Sequence, residues 1–155
     1  MASYRKVKIL SREVAAYIAG LIDGEGTLSL SRRHRNENRQ FVISISNTDT
    51  HLLNYVCRTV GAGRITRKRI SKNNHIPSGT YMIDNRQALD LLQQIAPYLR
   101  TYKSERAALV LEHYLRLTPR NGKYNLAQKK ERIAFIAKFL LMNPRQPATL
   151  RINEA

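Results

Sequence analysis

The sequence has a single cysteine, no zinc-like spacing of its histidines and no long hydrophobic run. These absences argue against a disulfide-bonded protein, a structural zinc protein and a membrane-spanning protein. Because Cys57 has no second cysteine to pair with, the chain cannot form an intramolecular disulfide, which favours a reducing compartment. No apolar run approaches the roughly 18 residues of a membrane span, and the N-terminus lacks the apolar segment of a signal peptide. The sequence therefore predicts a soluble, intracellular protein with no membrane partner.

Acidic residues are also scarce, and the positive charge is concentrated in one part of the chain. Eleven Asp and Glu stand against 27 Lys and Arg, which gives a net charge of +16. Between residues 28 and 83 the acids are Glu37 and Asp49, whereas the basic residues are Arg32, Arg33, Arg35, Arg39, Arg58, Arg64, Arg67, Lys68, Arg69 and Lys72. A concentration of positive charge of this kind attracts a polyanion such as nucleic acid, and it makes the binding of that polyanion salt-dependent. A basic protein that sits on ribosomes or membranes would carry similar charge.

Length and hydrophobic pattern indicate one α+β domain over residues 1–155. A chain of 155 residues with 43% apolar composition can bury one core, and no internal repeat is present. Apolar periods typical of helices and strands follow each other in the order α-β-β-α-β-β-α within about residues 11–117. This order predicts a four-stranded antiparallel sheet backed by helices, with an extra C-terminal helix at about 126–142.

The element boundaries follow from capping residues, glycines and prolines. Ser11 is expected to cap the first helix, Thr48 or Asp49 the second, and residues 1–11 are expected to form a loose basic arm. The C-terminal helix is expected to pack beneath the sheet through its apolar positions Ile133, Ile136, Ala137 and Leu140. The predicted helices are 12–26, 49–60, 86–95, 103–117 and 126–142, and the predicted strands are 27–33, 40–46, 64–70 and 79–84.

The first helix carries the motif around which the chain is organised. Its apolar stripe consists of Val14, Tyr17, Ile18, Leu21 and Ile22, and the opposite face is nearly bare: Ala16, Ala19, Gly20 and Asp23. A glycine inside a helix costs about 1 kcal/mol relative to alanine, so a bare face indicates the close approach of another backbone. We expect a second copy of the same helix, and therefore a homodimer in which these four residues form the interface.

Two glycines flank an acidic residue at the end of this helix. Gly24 and Gly26 are expected to end the helix and to allow unusual backbone angles, leaving Glu25 with little bulk around it. A metal ion or a phosphate would fit at such a carboxylate.

The sheet has one face that is unusually rich in short polar side chains. If Leu28, Phe41, Ile65 and Tyr81 mark the buried side, a curved ribbon of hydrogen-bonding groups covers the other, suited to the major groove of a DNA duplex. An ordinary solvent-facing sheet is the alternative. The residues expected to bind DNA are Ser29, Ser31, Arg33, Arg35, Gln40, Ser44, Ser46, Arg64, Thr66, Lys68, Ser78 and Thr80.

The run Ile18-Ala19-Gly20-Leu21-Ile22-Asp23-Gly24-Glu25-Gly26 resembles the LAGLIDADG motif of homing endonucleases and covers its full length of nine positions. It departs from that motif by Ile for Leu at the first position, Gly for Ala at the seventh and Glu for Asp at the eighth. The motif occurs once, and single-motif members of this family act as homodimers. The resemblance covers roughly residues 11–117 and implies the family's fold.

The resemblance also implies an active site. It places metal binding on Glu25 with help from the Gly24 carbonyl, with Mg²⁺ as the cofactor and other divalent cations able to substitute. Asn47 matches the position of a polar residue that organises water, although a turn or cap role is equally open, and His51 is a weaker candidate. Lys103 matches a basic residue that steadies phosphate charge, with Arg100 as its competitor.

These observations lead to a hypothesis about function. The resemblance implies an intron-encoded, homodimeric endonuclease that makes an Mg²⁺-dependent double-strand break in a long, pseudo-palindromic DNA target, in a prokaryotic cytoplasm, a chloroplast or a mitochondrion. The alternatives are an RNA maturase or a non-cleaving DNA-binding relative. A basic ribosome-associated α/β protein is a third interpretation, but it leaves the bare helix face without a purpose.

Overall fold

A computed structural model of the chain describes residues 5–67 and 76–144. The chain divides into two compact units, Met1–Leu99 and Arg100–Ala155. Within the described residues, every helix is too short or too polar to cross a lipid bilayer. The prediction of one domain over residues 1–155 stays a prediction.

The first unit has the predicted order of helices and strands, and the α+β fold class is confirmed. The third strand was predicted to reach residue 70, but residues 68–70, including Lys68, lie outside the described ranges. The elements are α1 (Arg12–Glu25), β1 (Gly26–Ser31), β2 (Gln40–Asn47), α2 (Thr50–Val60), β3 (Arg64–Arg67), β4 (Gly79–Asp84), α3 (Asn85–Ile95) and a short 3₁₀ turn (Ala96–Tyr98).

The four described strands form one antiparallel sheet in the order β1-β2-β4-β3. Leu28, Ile43 and Ile83 occupy one cross-strand row and are fully buried, and Ile45 and Tyr81 occupy the next. Alternate residues point to opposite faces of a strand, so this apolar set packs under the helices while the other face stays open. The core is completed by Ile18 and Ile22 of α1, Leu53 and Val56 of α2, and Leu91, Leu92 and Ile95 of α3.

Side-chain caps begin the first two helices as predicted. The Ser11 hydroxyl accepts a hydrogen bond from the Val14 backbone N–H at 3.3 Å, and the Asp49 carboxylate accepts from the N–H groups of His51 and Leu52. Each cap satisfies donors that the helix itself leaves unpaired. Gly61 ends α2 in the left-handed region with φ of 77°.

The segment before α1 is not the loose arm that the sequence suggested. Residues 5–11 follow the end of α2 and the side of α3: the Lys8 N–H donates to the Val60 carbonyl at 2.9 Å. The Gln94 amide donates to the Lys8 carbonyl and accepts from the Leu10 N–H, and Val7 is buried. Charge composition concealed this arrangement, because the contacts are made by the backbone of the segment.

The second unit contains α4 (Lys103–His113) and α5 (Leu126–Leu141). Helix α4 ends earlier than predicted, although Tyr114 and Leu117 beyond it are buried. A reciprocal pair of hydrogen bonds between Asn125 and Gln128 starts α5.

The buried face of α5 differs from the predicted one. Ile133 is 69% exposed and Leu140 is 49% exposed, whereas the buried positions are Arg132, Phe135 and Phe139. The Arg132 guanidinium donates to the Leu117 carbonyl and to the Tyr124 hydroxyl, both at 2.9 Å, so its buried N–H groups have hydrogen-bond partners inside the unit. The two phenylalanine rings bring more apolar area than the aliphatic side chains, so they decide which face turns inward.

Two glycines between α2 and β3 give a test of this packing. Both have positive φ, but a Cβ at Gly63 would lie 2.7 Å from the Met82 carbonyl oxygen, whereas one at Gly61 would meet only the flexible side chain of Lys8. Gly61→Ala should therefore cost about 1–2 kcal/mol of backbone strain. Gly63→Ala should cost about 3 kcal/mol or more, because overpacking adds to the same strain. Urea unfolding of both variants measures the difference, and equal losses would contradict the described contact.

Candidate active site at the end of helix α1

The junction between α1 and β1 turns sharply, and Gly26 makes this turn possible. A Cβ at this position would lie 2.6 Å from the Ile22 Cα, which no other residue type can accommodate without a backbone shift. The φ of Gly26 is −92°, an ordinary extended value, and Gly24 remains within the helix. The expectation of unusual backbone angles was therefore wrong, and the close approach to Ile22 explains the glycine. Glu25 is the last helical residue and is exposed.

The structure brings Glu25 and Asn47 together. The Asn47 side-chain amide donates to the Glu25 carboxylate, with 2.5 Å between Nδ2 and Oε2. The amide oxygen of Asn47 accepts from the Asp49 backbone N–H at 2.8 Å, and Asp49 in turn caps α2. The Asn47 side chain is therefore held at both ends, so the turn role and a role beside the carboxylate are filled by one residue.

The electrostatics at the end of α1 favour a cation. The last turn contains Asp23 and Glu25 and no basic residue. A helix ends with unpaired carbonyl groups and a partial negative charge, and acidic residues there are unfavourable unless a positive charge compensates. Carboxylate and carbonyl oxygens are the ligands that Mg²⁺ and Ca²⁺ prefer. The donor set that Glu25 and the Gly24 carbonyl provide fits such an ion.

The other predicted active-site residues have different surroundings. His51 lies in the first turn of α2, exposed, and its backbone N–H donates to the Asp49 carboxylate at 2.9 Å. Lys103 begins α4 in the second unit and is 6% exposed, with its ammonium 5.8 Å from the centre of the Tyr102 ring. Arg100 is exposed in that same unit. The catalytic roles of these residues stay predictions.

Most of the residues predicted to bind DNA line the open face of the sheet. The strand pairing joins them in cross-strand rows such as Ser46–Thr80–Thr66, in which the Ser46 and Thr80 hydroxyl oxygens are 2.8 Å apart. Ser78 immediately precedes β4, and Arg33 and Arg35 lie in the exposed turn between β1 and β2. The residues of this face within the strands are Ser29, Ser31, Gln40, Ser44, Ser46, Arg64, Thr66 and Thr80.

Four further residues lie on the same face, and the sequence interpretation missed them. Thr27 and Val42 pair with Ser44 and Ser29, and Met82 and Asp84 follow from the alternation in β4. Val42 is only 5% exposed although it is on the open side. Extending the alternation of polar positions to the strand ends would have identified Thr27 and Asp84. Val42 and Met82 are apolar residues inside β2 and β4, so only their place in the alternation indicates this face.

The bare face of α1 agrees with the predicted one only in part: Gly20 is exposed as expected, but Ala19 is not. Ala19 is fully buried within the chain, because it belongs to the same inward stripe as Ala15, Ile18 and Ile22, so its assignment to an exposed dimer interface was wrong. Tyr17, predicted to be inward, is 49% exposed. Ala16 and Asp23 are half-buried. The open positions are Gly20 and Gly24, where an added Cβ would meet nothing within 4 Å.

The chain resembles solved structures of homing endonucleases. Over 87% of this chain and 85% of the other, it matches I-CvuI in complex with its target in the presence of 2 mM Ca, with 17% identity and a TM-score of 0.69. I-CvuI with the I-CreI target and 2 mM Mg, whose DNA is not cleaved, gives 18% identity and a TM-score of 0.67 over the same shares. The group I intron-encoded I-CeuI, complexed with DNA, gives 18% and 0.63 over 91% of this chain and 70% of that one. At these identities the likeness establishes the fold.

A family model supplies the stronger relationship. A comparison with curated proteins gives no match. The model described as "LAGLIDADG endonuclease" matches residues 18–110, which include the end of α1, the whole described sheet and the start of α4. The chain therefore belongs to the LAGLIDADG endonuclease family.

Proposed function

We propose that this chain is a homodimeric, site-specific homing endonuclease that makes a divalent-metal-dependent double-strand break in a long, pseudo-palindromic DNA target. The observation that carries the proposal is the exposed Glu25 carboxylate at the end of α1, held by Asn47 in the first unit, whose sheet has an open polar face. Membership of the family supports the reaction class. Expression from an intron of a prokaryotic or organellar genome belongs to the same proposal.

Phosphodiester hydrolysis needs a neutralised phosphate and an activated water molecule. A bound Mg²⁺ supplies Lewis-acid polarisation of the phosphate and lowers the pKa of its water ligands. Glu25 and the Gly24 carbonyl would hold the ion. Asn47 keeps the Glu25 carboxylate in one orientation and lies where it can also order water.

The open face of the sheet suits a DNA duplex. Short hydroxyl and amide side chains in the strands can reach base edges. The turn between β1 and β2 adds arginines that suit phosphate contacts, among them Arg32, Arg35 and Arg39. The solved structures of I-CvuI and I-CeuI are complexes with DNA, and we propose DNA as the binding partner of this chain as well.

Two copies are needed to cut two strands. The motif occurs once in the chain, and the space above Gly20 and Gly24 would let the backbone of a second α1 approach closely. Tyr17 beside them is half-exposed and contacts Tyr55 edge to face, with 5.9 Å between ring centres. Such packing would place the two Glu25 carboxylates on either side of a twofold axis.

The cleavage proposal is tested with a randomised duplex library incubated with Mg²⁺. The unaltered protein should cut a subset of sites, Glu25→Gln should cut none, and Asn47→Ala should cut about 10–100-fold more slowly, because a residue that orients a metal ligand has been removed. Glu13→Gln, at the other end of the same helix, should leave cleavage unchanged. If the unaltered protein retards DNA or RNA but cuts nothing, the non-cleaving or maturase function replaces the proposal.

The negative charge of Glu25 at the end of α1 should lower the free energy of unfolding of the metal-free protein. Glu25→Gln removes a negative charge from the negative end of the helix and keeps the oxygen that accepts from Asn47, so it should raise the free energy of unfolding by about 0.5 kcal/mol. Glu13→Gln lies in the first turn and should lower that free energy by a similar amount. Both changes should shrink at high salt. Metal-free urea unfolding at two ionic strengths measures them, and a loss of stability in Glu25→Gln would count against this electrostatic account.

The dimer proposal is tested by filling the space above α1. Gly20→Ala and Gly24→Ala should each stabilise a separate subunit by up to about 1 kcal/mol, because alanine is the better helix former and meets no neighbour. If two helices touch there, the same changes should weaken self-association and cleavage. Sedimentation equilibrium beside circular dichroism separates the two effects. If a variant with both substitutions self-associates with the same dissociation constant as the unaltered protein, the interface lies elsewhere.

A further inference from the structure

One acidic residue lies on the otherwise polar and basic face of the sheet. Among the described residues of the four strands, Asp84 is the only acid. Its Oδ2 atom is 2.8 Å from Nη1 of Arg64 and 3.4 Å from Nη2 of Arg33. The Asp84 side chain is 22% exposed, whereas those of Arg64 and Arg33 are 46% and 68% exposed. The carboxylate is thus largely covered and both guanidinium groups remain accessible.

The two ion pairs span the width of the sheet. Arg64 belongs to β3 and lies diagonally across from Asp84 in β4, because its direct partner is Met82. Arg33 follows β1, and β2 lies between β1 and β4, so the Arg33 side chain reaches across β2 to Asp84. Val42 of β2 pairs with Asp84, which accounts for its low exposure on the open face.

Asp84 also occupies a position where it would ordinarily have another role. It is the residue before α3, where an aspartate typically accepts hydrogen bonds from the first turn of the helix. Here the side chain makes no such capping bond. The carboxylate is turned to the sheet face instead, and the helix begins without it.

A carboxylate on a surface that binds a polyanion weakens binding by repulsion, unless its interactions with neighbouring side chains compensate for that repulsion. Two guanidinium groups on one carboxylate leave the cluster with a net positive charge, so it still attracts phosphate. Exposed ion pairs contribute little to folding stability. The more significant effect of these two ion pairs is therefore to orient the arginine side chains. An arginine held at one nitrogen keeps several N–H donors in a fixed plane, and that fork matches O6 and N7 of guanine.

We propose that Asp84 is a positioning residue for sequence recognition, which fixes Arg33 and Arg64 so that their remaining donors select guanine in the major groove. The inference rests on the proposed DNA-binding function of the sheet. It assigns to Asp84 the discrimination among bases, while affinity for the backbone comes from the surrounding positive charge. Without the carboxylate, the two arginines would still attract phosphate but would no longer be held toward a base edge.

The test is selection of bound duplexes from a randomised library without divalent metal, so that cleavage plays no part. Asp84→Asn should reduce the guanine preference at the base pairs under the two arginines by on the order of tenfold. Total affinity should be equal or higher, because a negative charge has been removed, and the melting temperature should stay unchanged. Asp90→Asn on α3 changes the net charge equally and should select the same sites as the unaltered protein.

Arg64→Lys gives an independent reading, since lysine keeps the charge but lacks the planar fork. It should lose guanine preference at one of the same base pairs. If Asp84→Asn and Arg64→Lys both keep the original preference, the inference is overturned while the proposed function stands. If the unaltered protein retains no duplex at all, the proposed function fails and this inference fails with it.

Discussion

The close approach of Gly26 to Ile22 is the constraint on which the rest of the structure depends. Because this position has no Cβ, the chain leaves α1 and enters β1 within one residue, and the helix end meets the edge of the sheet. Glu25 is consequently exposed beside the end of β2, where Asn47 reaches it. A larger residue at position 26 would separate the helix from the strand, and with them the carboxylate from its partner.

Charge placement runs against stability at two points in the first unit. Asp23 and Glu25 lie at the negative end of a helix, and Asp84 leaves α3 uncapped in order to hold two arginines. Each arrangement is unfavourable for the folded chain by itself, and the cation and the DNA duplex of the proposed function would supply the compensating interactions. These two unfavourable features lie at the end of α1 and on the open face of the sheet, which are the two surfaces assigned to metal and DNA binding in the proposed function.

Local signals predicted most of the fold. The Ser11 and Asp49 caps, the end of α2 at residue 60 and the alternation in β1, β2 and β4 each depend on residues close in sequence, and each was confirmed. The errors in α1 and α5 concern the choice of which helix face is buried. Ala19 and Ile133 are small or aliphatic residues that fit a periodic pattern equally well inside or outside, and the larger or better-paired neighbour decided which side was buried.

By itself the sequence determined the order of elements, the excess of positive charge and the nine-residue motif with its acidic end, because periodicity, composition and spacing are all local properties. Only the tertiary structure decided that Asn47 meets Glu25 and that Arg33 and Arg64 converge on Asp84. These contacts join residues 20 to 51 positions apart in the chain, and sheet pairing and register bring them together. Distances of that kind are set by packing, which no single stretch of sequence contains.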